Sequence, residues 1–265
     1  MYKRFVAFTV AVVMMVGCTT VPITGRRQLS LVSEAEMQQQ SYAAYNQVIS
    51  ESKISRDAQA TAMVKRVGQR IQGAVEQYMA QNGLQNELNG FQWEFNLIDD
   101  PQVNAWAMAG GKTAVYTGIL PIAKNETGLA VVMGHEIAHA IAKHGSERMS
   151  QQLAQQFGGQ TLAALAGTQP GMAQNLLLSV YGVGSQLGLL KYGRTQESEA
   201  DRLGLIFMAM AGYNPEESVS FWQRMEAESG GQAPPEFLST HPSAGTRQSA
   251  LREHMPEALK YYKAR

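Results

Sequence analysis

Apolar side chains recur at helical spacing over much of the chain. Ser33 and Glu36 form a Ser-x-x-Glu capping box, which predicts the start of the first of two consecutive helices. In the second helix an apolar residue returns at every fourth position, so that one face is apolar. This stripe consists of Met63, Val67, Ile71 and Val75. A stripe of this kind is typical of a helix that packs on a core.

Two further helices are predicted in the second half of the chain. Residues 126–144 have helical spacing, with Asn125 as the expected cap and Gly145 as the expected end. Another helix is expected from about residue 195 to residue 211, ending at Gly212. The first of them carries three histidines and a glutamate in otherwise apolar surroundings, which makes it the candidate for chemistry.

Alternation of apolar and polar residues predicts a small sheet. Residues 91–97 alternate Phe, Trp, Phe and Leu with polar neighbours, as in a half-buried strand. Residues 103–120 are then expected to form two short strands around a turn at Gly110 and Gly111. The predicted fold class is therefore α+β, a mainly helical domain with a small sheet.

The beginning of the chain has the pattern of an export signal. A basic start and an apolar run precede Gly17 and Cys18, and the run is shorter than the ~20 residues that span a bilayer. Residues 1–17 are therefore expected to be a signal peptide. The sequence MVGC resembles a bacterial lipobox, which implies lipidation of Cys18; the alternative is an ordinary signal peptide with a buried or incidental cysteine. Residues 18–32 are expected to be a lipid-anchored tether, and residues 33–265 the folded domain.

Composition and charge narrow the functional classes. The chain has 265 residues, of which 45% are apolar and 17% charged, as in a globular protein with a sizeable core. Lysine and arginine together number 22, and so do aspartate and glutamate. A chain without net charge is not expected to bind nucleic acid.

Three of the five histidines lie close together inside the helix predicted over residues 126–144. His135 and His139 are four residues apart and share a helix face, so both imidazoles can reach one metal ion. Glu136 follows His135 directly and can act as a base on water beside the metal. This H-E-x-x-H sequence predicts a zinc site of the zincin kind.

A catalytic zinc site needs a third protein ligand. His144 follows His139 by five residues, which does not fit the metzincin spacing, and it is expected to be exposed at the helix end. Glu197 on the later helix is the better candidate, and Asp201, one turn further, can hold the free nitrogen of a ligating histidine. Glu199 points away from Glu197 on an ideal helix and is expected to be a solvated charge.

These motifs together resemble the HtpX/BepA-type zinc metallopeptidases. The resemblance rests on H-E-x-x-H-x-x-x-x-H, the downstream E-x-E-A-D and the final S-T-H-P. This gluzincin family also includes the CAAX prenyl proteases and the mitochondrial Oma-type enzymes. The segments VPITGRRQL and VNAWAMAGGKTAVYTGIL are similar to those of its bacterial exported lipoprotein branch. The resemblance implies a mainly helical, zincin-like (minigluzincin) α+β domain whose small sheet has an exposed edge.

The resemblance also implies roles for the metal-binding residues. His135, His139 and Glu197 correspond to the ligands of one Zn²⁺ per subunit, and Glu136 to the catalytic glutamate. Asp201 matches the aspartate of the E-x-x-A-D element, as its spacing from Glu197 suggested. No feature of the sequence indicates an oligomeric state.

Two residues near the end of the chain have alternative roles. His241 corresponds to a histidine close to the metal, either as an oxyanion stabiliser or as an inhibitory fourth ligand. Arg247 matches an arginine that lines the site, and its alternative is a surface arginine on the last helix.

Substrate binding is expected at the predicted hairpin. The resemblance implies that the edge strand of this hairpin lies along the active-site cleft, where an extended peptide can bind as an additional strand. The small residues expected to allow this approach are Ala107, Ala109, Gly110 and Gly111. The alternative is that the two glycines only form the hairpin turn.

The expected function is hydrolysis of peptide bonds in unfolded, misfolded or misassembled proteins of the bacterial cell envelope. The enzyme would face the periplasm on a lipid anchor, with the outer membrane favoured because Thr19 rather than aspartate follows the cysteine. The alternative is a largely latent zinc protein that acts as a periplasmic chaperone or assembly factor.

Overall fold

The computed structural model describes residues 18–157, 164, 167, 170–181, 193–228, 236–241 and 247–263. The predicted signal peptide, residues 1–17, lies outside them. An antiparallel hairpin of β1 (Cys18–Thr20) and β2 (Arg27–Leu29) comes first. A three-stranded sheet contains β3 (Glu94–Ile98), β4 (Ala105–Met108) and β5 (Lys112–Tyr116). The helices are α1 (Glu34–Glu51), α2 (Ala58–Gln81), α3 (Leu120–Ala123), α4 (Glu126–Ile141), α5 (His144–Phe157), α6 (Pro170–Val180), α7 (Arg194–Met210), α8 (Glu217–Glu228), α9 (Glu236–Thr240) and α10 (Arg247–Ala258). This architecture confirms the predicted α+β class.

The helix starts agree with the sequence analysis. Helix α1 begins after Ser33 with both hydrogen bonds of the capping box, and the Asn125 side chain accepts hydrogen bonds from the first amides of α4. The predicted stripe on α2 faces the core, with Val67, Ile71 and Val75 fully buried. These elements form where local sequence and burial favour the same conformation.

The sheet has the strand order β3-β5-β4, with β3 parallel to β5 and β4 antiparallel to it. Strand β3 begins at Glu94, later than predicted. The turn between β4 and β5 requires glycine, because Gly110 and Gly111 have φ values of +82° and +87°. β4 is an edge strand of this sheet, and it packs along α4.

Helix α4 lies at the centre of the domain. Every residue from Gly128 to Ile141 is buried, because α2, α7, α8 and β4 all pack against it. Its closest neighbour is α7, where a Cβ on Gly204 would lie 3.0 Å from the carbonyl carbon of Gly134. This close approach brings the candidate site residues of the two helices together.

The predicted end of α4 is wrong. The helix ends at Ile141, Lys143 has a left-handed φ of 60°, and α5 begins at His144, so that Gly145 lies inside the next helix. In one continuous helix, residues five apart would point about 140° away from each other. The break instead turns the chain so that His144 folds back towards His139.

Among the described residues, no helix combines the length and the apolar character needed to cross a membrane.

Candidate metal centre

Four buried side chains meet between helices α4 and α7. His135, His139, Glu197 and His241 each offer one nitrogen or oxygen atom, and these atoms all lie within 4.8 Å of one another. The histidines of α4 project from one face because they are one helical turn apart. Glu197 comes from the first turn of α7, and His241 directly follows α9. The structure thus brings together the three predicted ligands and the histidine whose role was open.

The spacing of these atoms fits a tetrahedral metal ion. His135 Nε2 lies 3.0 Å from His139 Nε2 and 3.3 Å from His241 Nδ1. Glu197 Oε1 lies 3.4 Å from His139 Nε2 and 3.0 Å from His241 Nδ1. A tetrahedron with metal–ligand bonds of ~2.1 Å has edges of about 3.4 Å. Nitrogen and carboxylate donors at this spacing are the set that zinc prefers.

The predicted partner behind the first histidine is present. Asp201 Oδ1 lies 2.9 Å from His135 Nδ1, so it can hold the ring nitrogen that faces away from the other donors. Such a carboxylate fixes the tautomer and orientation of a ligating imidazole. Asp201 thus lies where its spacing from Glu197 predicted.

Arg247 lies in the site and not on the surface. Its guanidinium donates to Glu197 Oε2 at 3.1 Å and to Asp201 Oδ1 at 2.6 Å, and it stacks 3.4 Å above the ring of Trp222. The arginine therefore connects a candidate ligand with the carboxylate behind another ligand. Trp222, which the sequence analysis did not identify, also contacts the ring of His135.

Protonation in the absence of metal differs between the two histidines of α4. Burial lowers the pKa of His139 well below its usual value, so this ring is neutral and available as a ligand. Burial also opposes protonation of His135, but hydrogen bonds with Asp201 and Glu197 outweigh burial and raise its pKa to about 9. Glu197 remains ionised, because contacts with His241, His135 and His139 overcome burial and lower its pKa well below the usual range.

Glu136 has the environment of a general base. Burial raises the pKa of its carboxyl group, as suits a group that must take up and release a proton. Within the described part of the chain, Glu136 Oε1 has no hydrogen-bond partner, and His241 Nε2 lies 3.6 Å from it. An unpaired buried carboxylate oxygen beside a set of metal donors fits a site for water.

Two predictions about neighbouring residues are wrong. His144 was expected to be exposed, but it is fully buried, with Nδ1 lying 2.8 Å from His139 Nδ1. Glu199 was expected to be solvated, but it is 8% exposed and lies 2.8 Å from His144 Nε2. The helix break at Lys143 and the packing of the β1–β2 hairpin place these side chains together.

The predicted substrate-binding residues lie along β4 and its turn. Ala107 and Ala109 are buried, and the amide of Ala109 donates to Tyr181 Oη at 3.0 Å. Added Cβ atoms on Gly110 and Gly111 would overlap Tyr42 and Trp93. The turn therefore accounts for both glycines, and substrate binding along this strand stays a prediction.

The fold and the donor set define a metallopeptidase domain in which two helices present an H-E-x-x-H pair and a downstream glutamate. Comparison with known families agrees, because Peptidase family M48 matches residues 65–255. The chain belongs to this family.

Individual relatives include mitochondrial and bacterial proteins. The chain is 35% identical over 246 residues to the mitochondrial metalloendopeptidase OMA1 of Schizosaccharomyces pombe, covering 90% of this chain and 66% of the relative. It is 31% identical over 247 residues to the mitochondrial metalloendopeptidase OMA1 of Homo sapiens, covering 90% and 46%. It is 30% identical over 167 residues to the β-barrel assembly-enhancing protease of Escherichia coli, covering 60% and 34%.

The chain thus spans between one third and two thirds of the length of these relatives. The predicted metallopeptidase family is confirmed. The finer expectation of a bacterial exported lipoprotein branch is not supported, since the mitochondrial relatives match over more of the chain than the bacterial ones.

Proposed function

We propose that this chain is a zinc-dependent endopeptidase in which His135, His139 and Glu197 hold one Zn²⁺ and Glu136 is the general base. The observation that carries the proposal is the donor set with near-tetrahedral spacing beside a buried, unpaired oxygen of Glu136. A protein that only binds peptides has no chemical need for such a base.

Zinc bound at this site would supply Lewis acidity, which activates water and polarises the scissile carbonyl. Glu136 then accepts a proton from the attacking water and returns it to the leaving amine. Asp201 keeps the His135 ring oriented. Arg247 donates hydrogen bonds to both Glu197 and Asp201 and so fixes the positions of the two carboxylates relative to each other. It is therefore a positioning residue.

In the described arrangement His241 occupies the position that a catalytic zinc ion would leave open, so we infer that the site is closed to substrate. A catalytic zinc site keeps one coordination position open for water or substrate, whereas here four protein donors converge. Of the two roles open for His241, the geometry favours the inhibitory fourth ligand, because its Nδ1 lies among the donors. Movement of His241 away from the donors would open the site to a peptide.

Peptides would bind by adding a strand to β4. Tyr116 N donates to Asn104 O, so alternate backbone groups of β4 face β5 and those of Ala105, Ala107 and Ala109 face away. The Ala105 amide donates to Asn104 Oδ1 and the Ala109 amide to Tyr181 Oη, so an extended peptide would replace these two contacts and pair with Ala107 between them. Small side chains along this edge place few restrictions on the side chains of the bound peptide. This is in keeping with unfolded or misassembled proteins as substrates.

The proposed location is the periplasmic side of the bacterial cell envelope, with lipid on Cys18. The lipobox-like MVGC sequence supports this location, and Cys18 is exposed at the start of β1. The outer membrane is favoured by Thr19. A latent zinc protein with only a chaperone function is the alternative, and membership of a peptidase family does not favour it.

The test compares the wild type with Glu136→Gln. Zinc content and cleavage of an unfolded protein such as casein are measured, with Glu253→Gln on the exposed face of α10 as the control. We expect one zinc per chain in all three proteins and a fall in kcat of at least about a hundredfold in Glu136→Gln alone. A wild type without zinc, or an active Glu136→Gln, would overturn the proposal.

A further inference from the structure

The ring of His139 is held from behind by a second histidine. His139 Nε2 faces the other donors, and its Nδ1 lies 2.8 Å from Nδ1 of the fully buried His144. His144 Nε2 in turn lies 2.8 Å from Glu199 Oε2. A chain of contacts therefore leads from a candidate metal ligand to a carboxylate outside the ligand set.

Metal binding by His139 sets the direction of the hydrogen bonds from His139 through His144 to Glu199. When Nε2 of His139 binds the metal, the hydrogen of its ring is on Nδ1 and is donated to Nδ1 of His144. His144 then carries its own hydrogen on Nε2 and donates it to Glu199. Only this order satisfies all three groups while His144 stays neutral.

Glu199 is held by the hairpin at the beginning of the described chain. Arg26 Nε donates to Glu199 Oε2 at 2.6 Å, and the hydroxyl of Thr24 donates to Glu199 Oε1. Glu199 is therefore held from both sides, by His144 on one side and by Arg26 and Thr24 on the other.

The hairpin is fixed in this position by packing and by a second carboxylate. Val21 is completely buried in the main core, and the two terminal nitrogens of Arg26 donate to both oxygens of Glu147 at 3.1 and 2.8 Å. Glu147 also accepts a hydrogen bond from Gln196 on α7. Arg26 thus joins the hairpin to α5 and α7 together.

We propose that Arg26 and Thr24 are positioning residues of the metal centre, which act on His139 through Glu199 and His144. The inference rests on the proposed zinc site. Partners behind a ligating histidine set its orientation and its basicity, and their loss lowers metal affinity. The segment between the predicted lipid anchor at Cys18 and the domain thus also supports the metal site, through the contacts of Thr24 and Arg26 with Glu199.

The chain offers a matched pair of variants for the test. Arg26 is paired with Glu199 and Glu147, whereas the adjacent Arg27 is exposed. Arg26→Gln and Arg27→Gln remove the same charge from the full-length protein. Zinc affinity is measured by competition with a chelator, and the absorption spectrum of bound Co²⁺ reports the ligand geometry. We expect Arg26→Gln to lose about tenfold in zinc affinity and to alter the spectrum, and Arg27→Gln to match the wild type.

Variants of His144 separate positioning from general loss of structure. In His144→Gln the amide can still accept from His139 and donate to Glu199, whereas His144→Leu can do neither. We expect His144→Gln to keep most of the zinc affinity and His144→Leu to lose it. Because Arg26 acts through His144, Arg26→Gln should have little further effect on zinc affinity once His144→Leu is present.

The outcomes separate this inference from the proposed function. A wild type that binds no zinc overturns both. A zinc-binding wild type in which Arg26→Gln and Arg27→Gln have equal affinities and spectra overturns this inference alone. Full additivity of Arg26→Gln and His144→Leu also overturns it, because two independent structural effects would add.

Discussion

Gly134 and Gly204 meet backbone to backbone where α4 crosses α7. A Cβ on Gly204 would lie 3.0 Å from the carbonyl carbon of Gly134 and 3.0 Å from the amide nitrogen of His135. The crossing point is thus adjacent to a candidate ligand. The short separation of the two helices lets Glu197 and Asp201 reach the histidines of α4.

Gly204→Ala is expected to push the two helices apart. The added methyl group meets backbone atoms, which cannot move aside as a flexible side chain can, so we expect a loss of about 1–3 kcal/mol in stability. Zinc affinity should fall as well, because the donors come from both helices. Thermal unfolding of the metal-free protein and chelator competition measure the two effects.

Gly73→Ala is the control for this prediction. Gly73 lies within α2, and a Cβ there would meet nothing within 4 Å. Alanine at an open helical position should stabilise the protein by about 0.5–1 kcal/mol and leave zinc binding unchanged. Equal zinc affinity in the two glycine variants would show that the crossing distance does not control the site.

The sequence predicted the parts of the site that depend on one helix. His135 and His139 share a face of α4, and Glu197 and Asp201 share a face of α7, so local periodicity was sufficient. The capping residues Ser33 and Asn125 were also found, because a helix cap depends only on residues within one turn of the helix start. What periodicity cannot supply is the way in which separate elements meet.

The residues that were missed depend on long-range packing or on an unusual backbone. His144 reaches His139 only because the helix breaks at Lys143, a residue type that gives no signal for a left-handed conformation. Glu199 is buried by Arg26, which is 173 positions away in the chain. Trp222 has the pattern of a core aromatic, and its stacking on Arg247 requires the docking of α10 on α8.

The acid stability of the domain should depend on Glu126. Its carboxylate accepts hydrogen bonds from Arg66 and from Tyr213, and these lower the pKa of Glu126, with Arg66 as the largest cause. A lowered pKa stabilises the folded state above pH 4.5, the ordinary value for glutamate, and this stabilisation disappears as the pH falls through the lower value. Because Glu126 is partly exposed, we expect its contribution to the free energy of unfolding to be less than about 1 kcal/mol.

Thermal unfolding of the metal-free protein between about pH 6 and pH 3 tests this dependence. Glu126→Gln should be less stable than the wild type near pH 6, and the difference should vanish near pH 3. The control is Glu76→Gln, on the exposed side of α2, which should follow the wild-type curve. A Glu126→Gln curve parallel to that of the wild type at all pH values would contradict the prediction.

His241→Ala should increase the cleavage of unfolded proteins. Its Nδ1 lies 3.0 Å from Glu197 Oε1 among the donors, so removal of the ring opens the fourth position while three ligands remain. Zinc affinity should fall, since one donor is lost. His254→Ala, on the partly exposed side of α10, is the matched control.

The direction of the change decides between the two roles of His241. An increase in kcat in His241→Ala supports the inhibitory fourth ligand. A fall of about 10²–10³ in kcat, the cost of losing one oxyanion donor, would instead assign His241 to stabilisation of the transition state. Zinc content is measured in parallel, so that loss of metal is not mistaken for loss of a donor.

Tyr181 occupies part of the edge at which a peptide is proposed to bind. Its hydroxyl accepts the hydrogen bond of the Ala109 amide, which faces away from β5. A peptide strand would have to replace this hydroxyl with its own carbonyl group. Tyr181→Phe keeps the ring and removes the competitor, so the peptide gains a hydrogen bond without first breaking one. We expect KM for an extended peptide to fall by about fivefold, equivalent to ~1 kcal/mol, with kcat unchanged.

Tyr78→Phe is the control, because Tyr78 and Tyr181 are equally buried, each being 7% exposed, and Tyr78 packs on Phe207 in another part of the core. It should leave KM unchanged. Steady-state kinetics on one fluorogenic peptide gives both constants for all three proteins. Unchanged or higher KM in Tyr181→Phe would mean that the Ala109 amide does not bind the substrate, and the peptide would then have to be placed elsewhere than on β4.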